Sequence, residues 1–133
     1  MIAKLLNKYL LTLVFMLSSV AGMLAQDTQT AISNAIKAGN SKEIAKYFDK
    51  RVEVKIEMTS NNYGADQAEV IVRDFLNKFT TRNFTIVHKG TSDGNAQFFI
   101  GSMSTNMGNY RVYIYIKNNM GQNLIQEIRF ERD

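Results

Sequence analysis

From residue 27 onward the spacing of apolar positions switches between periods of about 3.6 and 2, and each switch marks an element. In DTQTAISNAIKAGN, Ala31, Ile32, Ala35 and Ile36 share one side of a helix, with Asp27 or Thr28 placed to cap its start and Gly39 its end. Asn40 and Glu43 then have the spacing of a capping box, and Ile44, Tyr47 and Phe48 supply the apolar side of a second, short helix. RVEVKIEM alternates instead. Val52, Val54, Ile56 and Met58 fall on one face, Glu53, Lys55 and Glu57 on the other, which predicts a strand with one wet face. TSNN reads as a turn, and ADQAEVIVRDFLNKF carries Ala68, Ile71, Val72, Phe75 and Phe79 along one side of the longest helix.

After residue 83 the period stays at two through FTIVHK, AQFFIGSM, YRVYIYIK and NLIQEIRFE. Each intervening stretch contains glycine and is of hairpin length, so these four strands are expected to pair antiparallel in succession. The chain has no proline, which fits uninterrupted ladders. Helices gathered first and strands last predict an α+β domain in which a curved antiparallel sheet wraps the long helix. The expected order is helix, helix, strand, helix and four strands.

The N-terminus changes this picture. Lys4 and Lys8 precede the apolar run from Tyr9 to Ala25, and Gln26 opens polar sequence; that is the layout of a secretory signal peptide cleaved near Ala25. Thr12, Ser18, Ser19 and Gly22 interrupt a run already shorter than the ~20 apolar residues of a spanning helix. The division is therefore a signal peptide over 1–25 and a single domain over 26–133, exported to the periplasm or beyond, with no stable membrane anchor after cleavage. An exported domain without cysteine must be held by packing alone. The full chain has 16 basic and 12 acidic residues, and the signal removes Lys4 and Lys8 and no acid. The remaining excess of two is too small to predict a nucleic acid or anionic-membrane partner.

The closing sequence YRVYIYIKNNMGQNLIQEIRFE and the element order resemble the nuclear transport factor 2-like superfamily. AIKAGNSKEIAKYFDKRVEV, YGADQAE, FTIVHKG and LIQEIRFE resemble, within it, domain of unknown function family 4783, uncharacterised exported bacterial proteins. The resemblance covers nearly all of residues 27–132 and rests on packing and turn motifs. It implies a cone-shaped, cystatin-like fold, a cavity at the wide end that commonly takes small ligands, and a sheet that often makes dimers. It brings no catalytic residues.

The residues themselves are sparing with chemistry. His88 is the single histidine, and strand parity groups it with Phe84 and Ile86, which predicts an inward side chain at the cavity rim. No carboxylate is forced by spacing to meet it: Glu53 and Glu57 alternate away from the apolar face, Asp66 and Glu69 sit in a first helical turn, Asp93 is in a turn, and Asp74 lies off the apolar stripe. Glu127 and Glu131 alternate with Arg129 on a face expected to be wet and paired. With no cysteine and four scattered methionines in the mature chain, no metal site is expected, and no cofactor. Arg111, Tyr113, Tyr115 and Lys117 share one face of their strand, a surface for stacking single strands or for a dimer.

These readings favour a non-catalytic module that binds a small apolar ligand or a protein partner in or beside the cavity. The expected ligand-binding residues are His88, Tyr113, Phe98, Phe75 and Gln126. One alternative is an isomerase- or dehydratase-like enzyme with His88 as base and a tyrosine as donor. Another is a structural homodimer formed through the sheet.

Overall fold

The computed structural model describes residues 2–6 and 28–133. The expected signal peptide and its cleavage point therefore lie almost wholly outside the described residues. Among those residues, no helix is long and apolar enough to cross a membrane.

Within residues 28–133, three helices and six strands follow in the order α1 (Thr28–Lys37), α2 (Ser41–Ala45), β1 (Phe48–Ile56), β2 (Thr59–Gly64), α3 (Ala65–Lys78), β3 (Thr81–Ser92), β4 (Ala96–Thr105), β5 (Gly108–Asn119) and β6 (Gln122–Arg132). Local chemistry sets the helix ends. Gly39 takes a φ of 65°, and Asn40 N–H and Gly39 N–H donate back to Ala35 O and Ile36 O, closing α1 in a Schellman motif. Asn40 Oδ1 accepts from Glu43 N–H at the start of α2, forming half of the expected capping box; the Glu43 carboxylate turns to Lys46 instead.

The strands form one sheet in the order β2-β1-β6-β5-β4-β3. Every neighbouring pair is antiparallel except β1 with β6, which run parallel. The four-strand meander is as expected, and the α+β class holds. One element was not foreseen: Thr59–Gly64 is a strand, paired with β1 from Arg51↔Gly64 to Ile56↔Thr59. The turn falls earlier, at Glu57 and Met58, and leaves Met58 94% exposed rather than on the inner face with Val54.

One face of the sheet carries the core. Val112 opposes Phe130 and Ile114 opposes Ile128, all fully buried beneath helices that contribute Ile32, Ile36, Ile44 and Val72. Residues of opposite parity, Arg111, Tyr113 and Tyr115 across from Glu131, Arg129 and Glu127, form the outer face. Lys55 pairs with Glu131 there at 3.0 Å, and Arg129 with Glu127, so this face is wet and paired as expected.

Candidate functional site

The five expected ligand residues go to three places. On β3 the register passes from Ile86↔Gly101 to His88↔Ile100, so two residues on one strand oppose one on the other and Val87 is the extra residue of a β-bulge. The bulge inverts parity after Ile86. His88 is therefore on the outer face and exposed, a correction to the inward rim histidine that unbroken alternation predicts. Its ring lies 5.7 Å from that of Phe98, Phe98 stacks on Tyr113 at 6.1 Å, and the Arg129 guanidinium sits 5.0 Å over Tyr113. His88, Phe98 and Tyr113 thus come together, on the outside. Burial, and secondarily the Glu127 charge, push the Tyr113 hydroxyl pKa up.

Gln126 occupies another bulge, between Ile116↔Ile125 and Tyr115↔Glu127. Its amide donates to Asp49 Oδ2, and that bond is the main cause holding the Asp49 carboxyl below its ordinary value. Phe75 alone of the five faces the interior. Its ring is 4.4 Å from Phe130, 5.0 Å from Phe79 and 5.1 Å from Tyr110, and these four aromatics occupy the space beneath the C-terminal half of α3. The wide cavity that the resemblance implies is filled there by side chains.

At the rim of this cluster lies a groove of about 360 Å³, one of several surface depressions of similar volume, lined by Ile56, Glu57, Ile71, Asp74, Phe75, Lys78 and Phe79. α3 supplies one wall through residues one turn apart on its face, and the end of β1 supplies the other. Ile56 and Ile71 are only half buried, while Phe75 and Phe79 are 4% and 7% exposed and form the floor. The groove sits in the lower size range of small-molecule sites, which typically span roughly 300–1,000 Å³.

Glu57 marks its polar edge. Parity along RVEVKIEM directs this carboxylate away from the apolar face, but the strand ends at Ile56 and Glu57 adopts a φ of 53° in the turn. Left-handed backbone is unusual for glutamate. Here Glu57 N–H bonds to Phe130 O at 2.8 Å, and Glu57 Oε1 accepts from the Tyr110 hydroxyl at 2.7 Å. Arg132 completes the cluster: Nη2 donates to the Tyr110 oxygen at 2.9 Å and lies 3.5 Å from Glu57 Oε1, Nη1 donates to Met107 O at 3.2 Å, and the guanidinium covers the Tyr110 ring at 5.0 Å. The Tyr110 hydrogen bond, with help from the Arg132 charge, lowers the Glu57 pKa, while burial and the Glu57 contact raise that of Tyr110.

A general base works best with a pKa near the working pH, and Glu57 is pushed the other way. The arrangement is built to hold a fixed carboxylate beside an apolar surface. Among the described residues, no group of three or more histidine, aspartate or glutamate side chains is placed to hold a metal ion. The cluster was not legible beforehand because Glu57 and Tyr110 are 53 positions apart and the parity of β1 points Glu57 outward.

No match is found among proteins of curated function. A protein of Domain of unknown function family DUF4783 from Bacteroides ovatus ATCC 8483 is 30% identical, with 77% of this chain and 93% of that chain covered and a TM-score of 0.74. One from Bacteroides fragilis YCH46 is 27% identical, with 80% and 100% covered and a TM-score of 0.76. A domain of unknown function with a cystatin-like fold from Nostoc punctiforme PCC 73102, 8% identical over 79% of this chain and 72% of that chain at a TM-score of 0.61, shares the fold alone. The family model described as Domain of unknown function (DUF4783) matches residues 29–131, and the chain belongs to that family.

Proposed function

We propose that this domain is a non-catalytic binding module that holds a small apolar ligand in the groove between α3 and the end of β1. The observation that carries the reading is the pairing of half-buried Ile56 and Ile71 over a floor of Phe75 and Phe79, with an anchored carboxylate at the edge. Apolar walls with a few placed polar groups are the general make-up of ligand sites. The reading requires no metal, cofactor or nucleic acid. It places the domain outside the cytoplasm, after removal of residues 1–25, and rests there on Lys4, Lys8 and the apolar run that follows. Native mass spectrometry of gently purified protein, expressed with its own N-terminus, tests both parts: an added mass that disappears on denaturation is expected, on a chain shortened near Ala25. A bare mass that also shows no shift of Ile56, Ile71 or Phe79 resonances with added aliphatic probes would overturn the ligand reading.

A second reading is supported by the outer face, where Val87 is 63% exposed beside the His88, Phe98 and Tyr113 row. Half-exposed aromatic residues beside an exposed valine suit a protein interface, and an isologous dimer through this face is the partner proposed. Sedimentation analysis over a wide concentration range should then show a dimer that Tyr113→Asp dissociates. A monomer at every concentration would reject it.

A further inference from the structure

Resting on the groove reading above, the question is what polar group a ligand must carry. Lys78 lines the groove and Arg132 adjoins it through Glu57, and each already has a partner. Lys78 Nζ lies 5.4 Å over the Phe79 ring, and Arg132 lies over Phe79 and Tyr110 while donating to Tyr110 and to Met107 O. Ring faces are favourable sites for ammonium and guanidinium groups, so both cations already have a partner, although Lys78 still lines the groove and its charge reaches Glu57. The acids are not used up in the same way. Both contacts made by the Glu57 carboxylate among the described residues fall on Oε1, which leaves Oε2 as an acceptor. Asp74 has only a 4.0 Å approach from Arg73, its neighbour on α3. The spare capacity at the rim is therefore hydrogen-bond acceptance by carboxylate, beside walls of isoleucine and phenylalanine.

We infer that the groove selects amphiphilic amines: ligands with an aliphatic or aromatic body seated on Ile56, Ile71, Phe75 and Phe79, and a protonated amino group bonded to Glu57 Oε2 and facing Asp74. A carboxylate ligand would meet the two like charges of Glu57 and Asp74, offset within the groove lining by Lys78 alone. A neutral alcohol would gain the apolar contact without the charge-assisted bond. The Tyr110 and Arg132 contacts position the Glu57 carboxylate for this role, and they account for a glutamate at a left-handed turn position that glycine or asparagine would occupy with less strain.

Three probes of matched length separate the parts of this inference: decylamine, decanol and decanoate, each below its aggregation concentration, titrated at neutral pH while backbone and methyl resonances are followed. Decylamine is expected to bind about tenfold more tightly than decanol, and decanoate more weakly than both, since a charge-assisted bond at a partly exposed rim is worth about that factor. Glu57→Gln, whose amide oxygen can still accept from Tyr110, should reduce decylamine to the affinity of decanol. Asp74→Asn, at an exposed position outside the Tyr110 cluster, should give a smaller loss in the same direction and covers the case in which the Glu57 variant folds poorly. If decanol and decylamine bind alike, or decanoate binds best, the amine inference falls and the apolar groove stands. If none of the three shifts Ile56, Ile71 or Phe79, the groove reading itself falls.

Discussion

Tyr110 donates its hydroxyl proton to Glu57 Oε1 across 2.7 Å, joining the β1–β2 turn to the middle of the sheet through a tyrosine that is 0% exposed. Tyr110→Phe keeps the ring contacts with Phe75 and Phe79 and removes this bond together with the one the hydroxyl oxygen accepts from Arg132. A net cost of at least about 1 kcal/mol is expected, the usual value of one intramolecular hydrogen bond, read as a lower urea midpoint with unchanged m. An unaltered midpoint would show that the two bonds contribute nothing to stability.

Acid should destabilise the domain. Hydrogen bonds from Tyr110 to Glu57, from Gln126 to Asp49 and from Lys55 to Glu131 lower all three carboxyl pKa values below their ordinary values of 4.5, 3.8 and 4.5. A carboxyl lowered in the folded state contributes stability that is present above its unfolded pKa and is lost as pH falls through the folded one. Urea midpoints should therefore be level from neutrality to about pH 5 and decline below that. Glu57→Gln should flatten the decline, and a midpoint that rises on acidification would contradict the assignment.

Two glycines lie under phenylalanine rings with different freedom to respond. A Cβ at Gly101 would come within 2.1 Å of Phe84, which is 1% exposed; a Cβ at Gly90 would come within 2.5 Å of Phe98, which is only half buried. Gly101→Ala should cost about 2–3 kcal/mol, the range for overpacking a closed core. Gly90→Ala should cost less, because Phe98 can swing toward solvent. Thermal denaturation of the two variants checks the order, and equal losses would mean that Phe98 is held as firmly as Phe84.

His88→Ala should leave stability within about 0.5 kcal/mol of the parent, since the side chain is exposed and its recorded contact is the Phe98 ring. Probe affinity at the groove should also be unchanged. A lost ligand in this variant would return the histidine to the centre of the function.

The helices, the meander and its turns were legible because each obeys a local rule: Gly39 and Asn40 at helix ends, Gly94, Gly108 and Gly121 with positive φ in the hairpins, and strict alternation on β5. β2 was not, because its first four residues, Thr59, Ser60, Asn61 and Asn62, are all exposed and show no alternation to read. Side-chain composition marks them as a turn; backbone pairing with β1 makes them a strand. The placement of His88 and Gln126 was missed for a related reason. Parity carries a prediction along a strand only while the ladder is unbroken, and Val87 and Gln126 each insert one residue. Those bulges move His88 outward and tie Gln126 to Asp49, whereas Phe75, read from helical spacing where no such slip occurs, is where it was expected.

The parallel pairing of β1 with β6 has a consequence for synthesis. β6 lies between β1 and β5, so the β1–β2 hairpin has no edge to join until Gln122–Arg132 has been made. A growing chain emerges N-terminus first, so early elements cannot complete the sheet as they appear. The partly made chain carries the apolar faces of β1 and α3 without their cover, and contacts of such long sequence separation form slowly. The strand that locks β1 into the sheet is thus made after every other strand, and until it appears the chain stays open and unlocked.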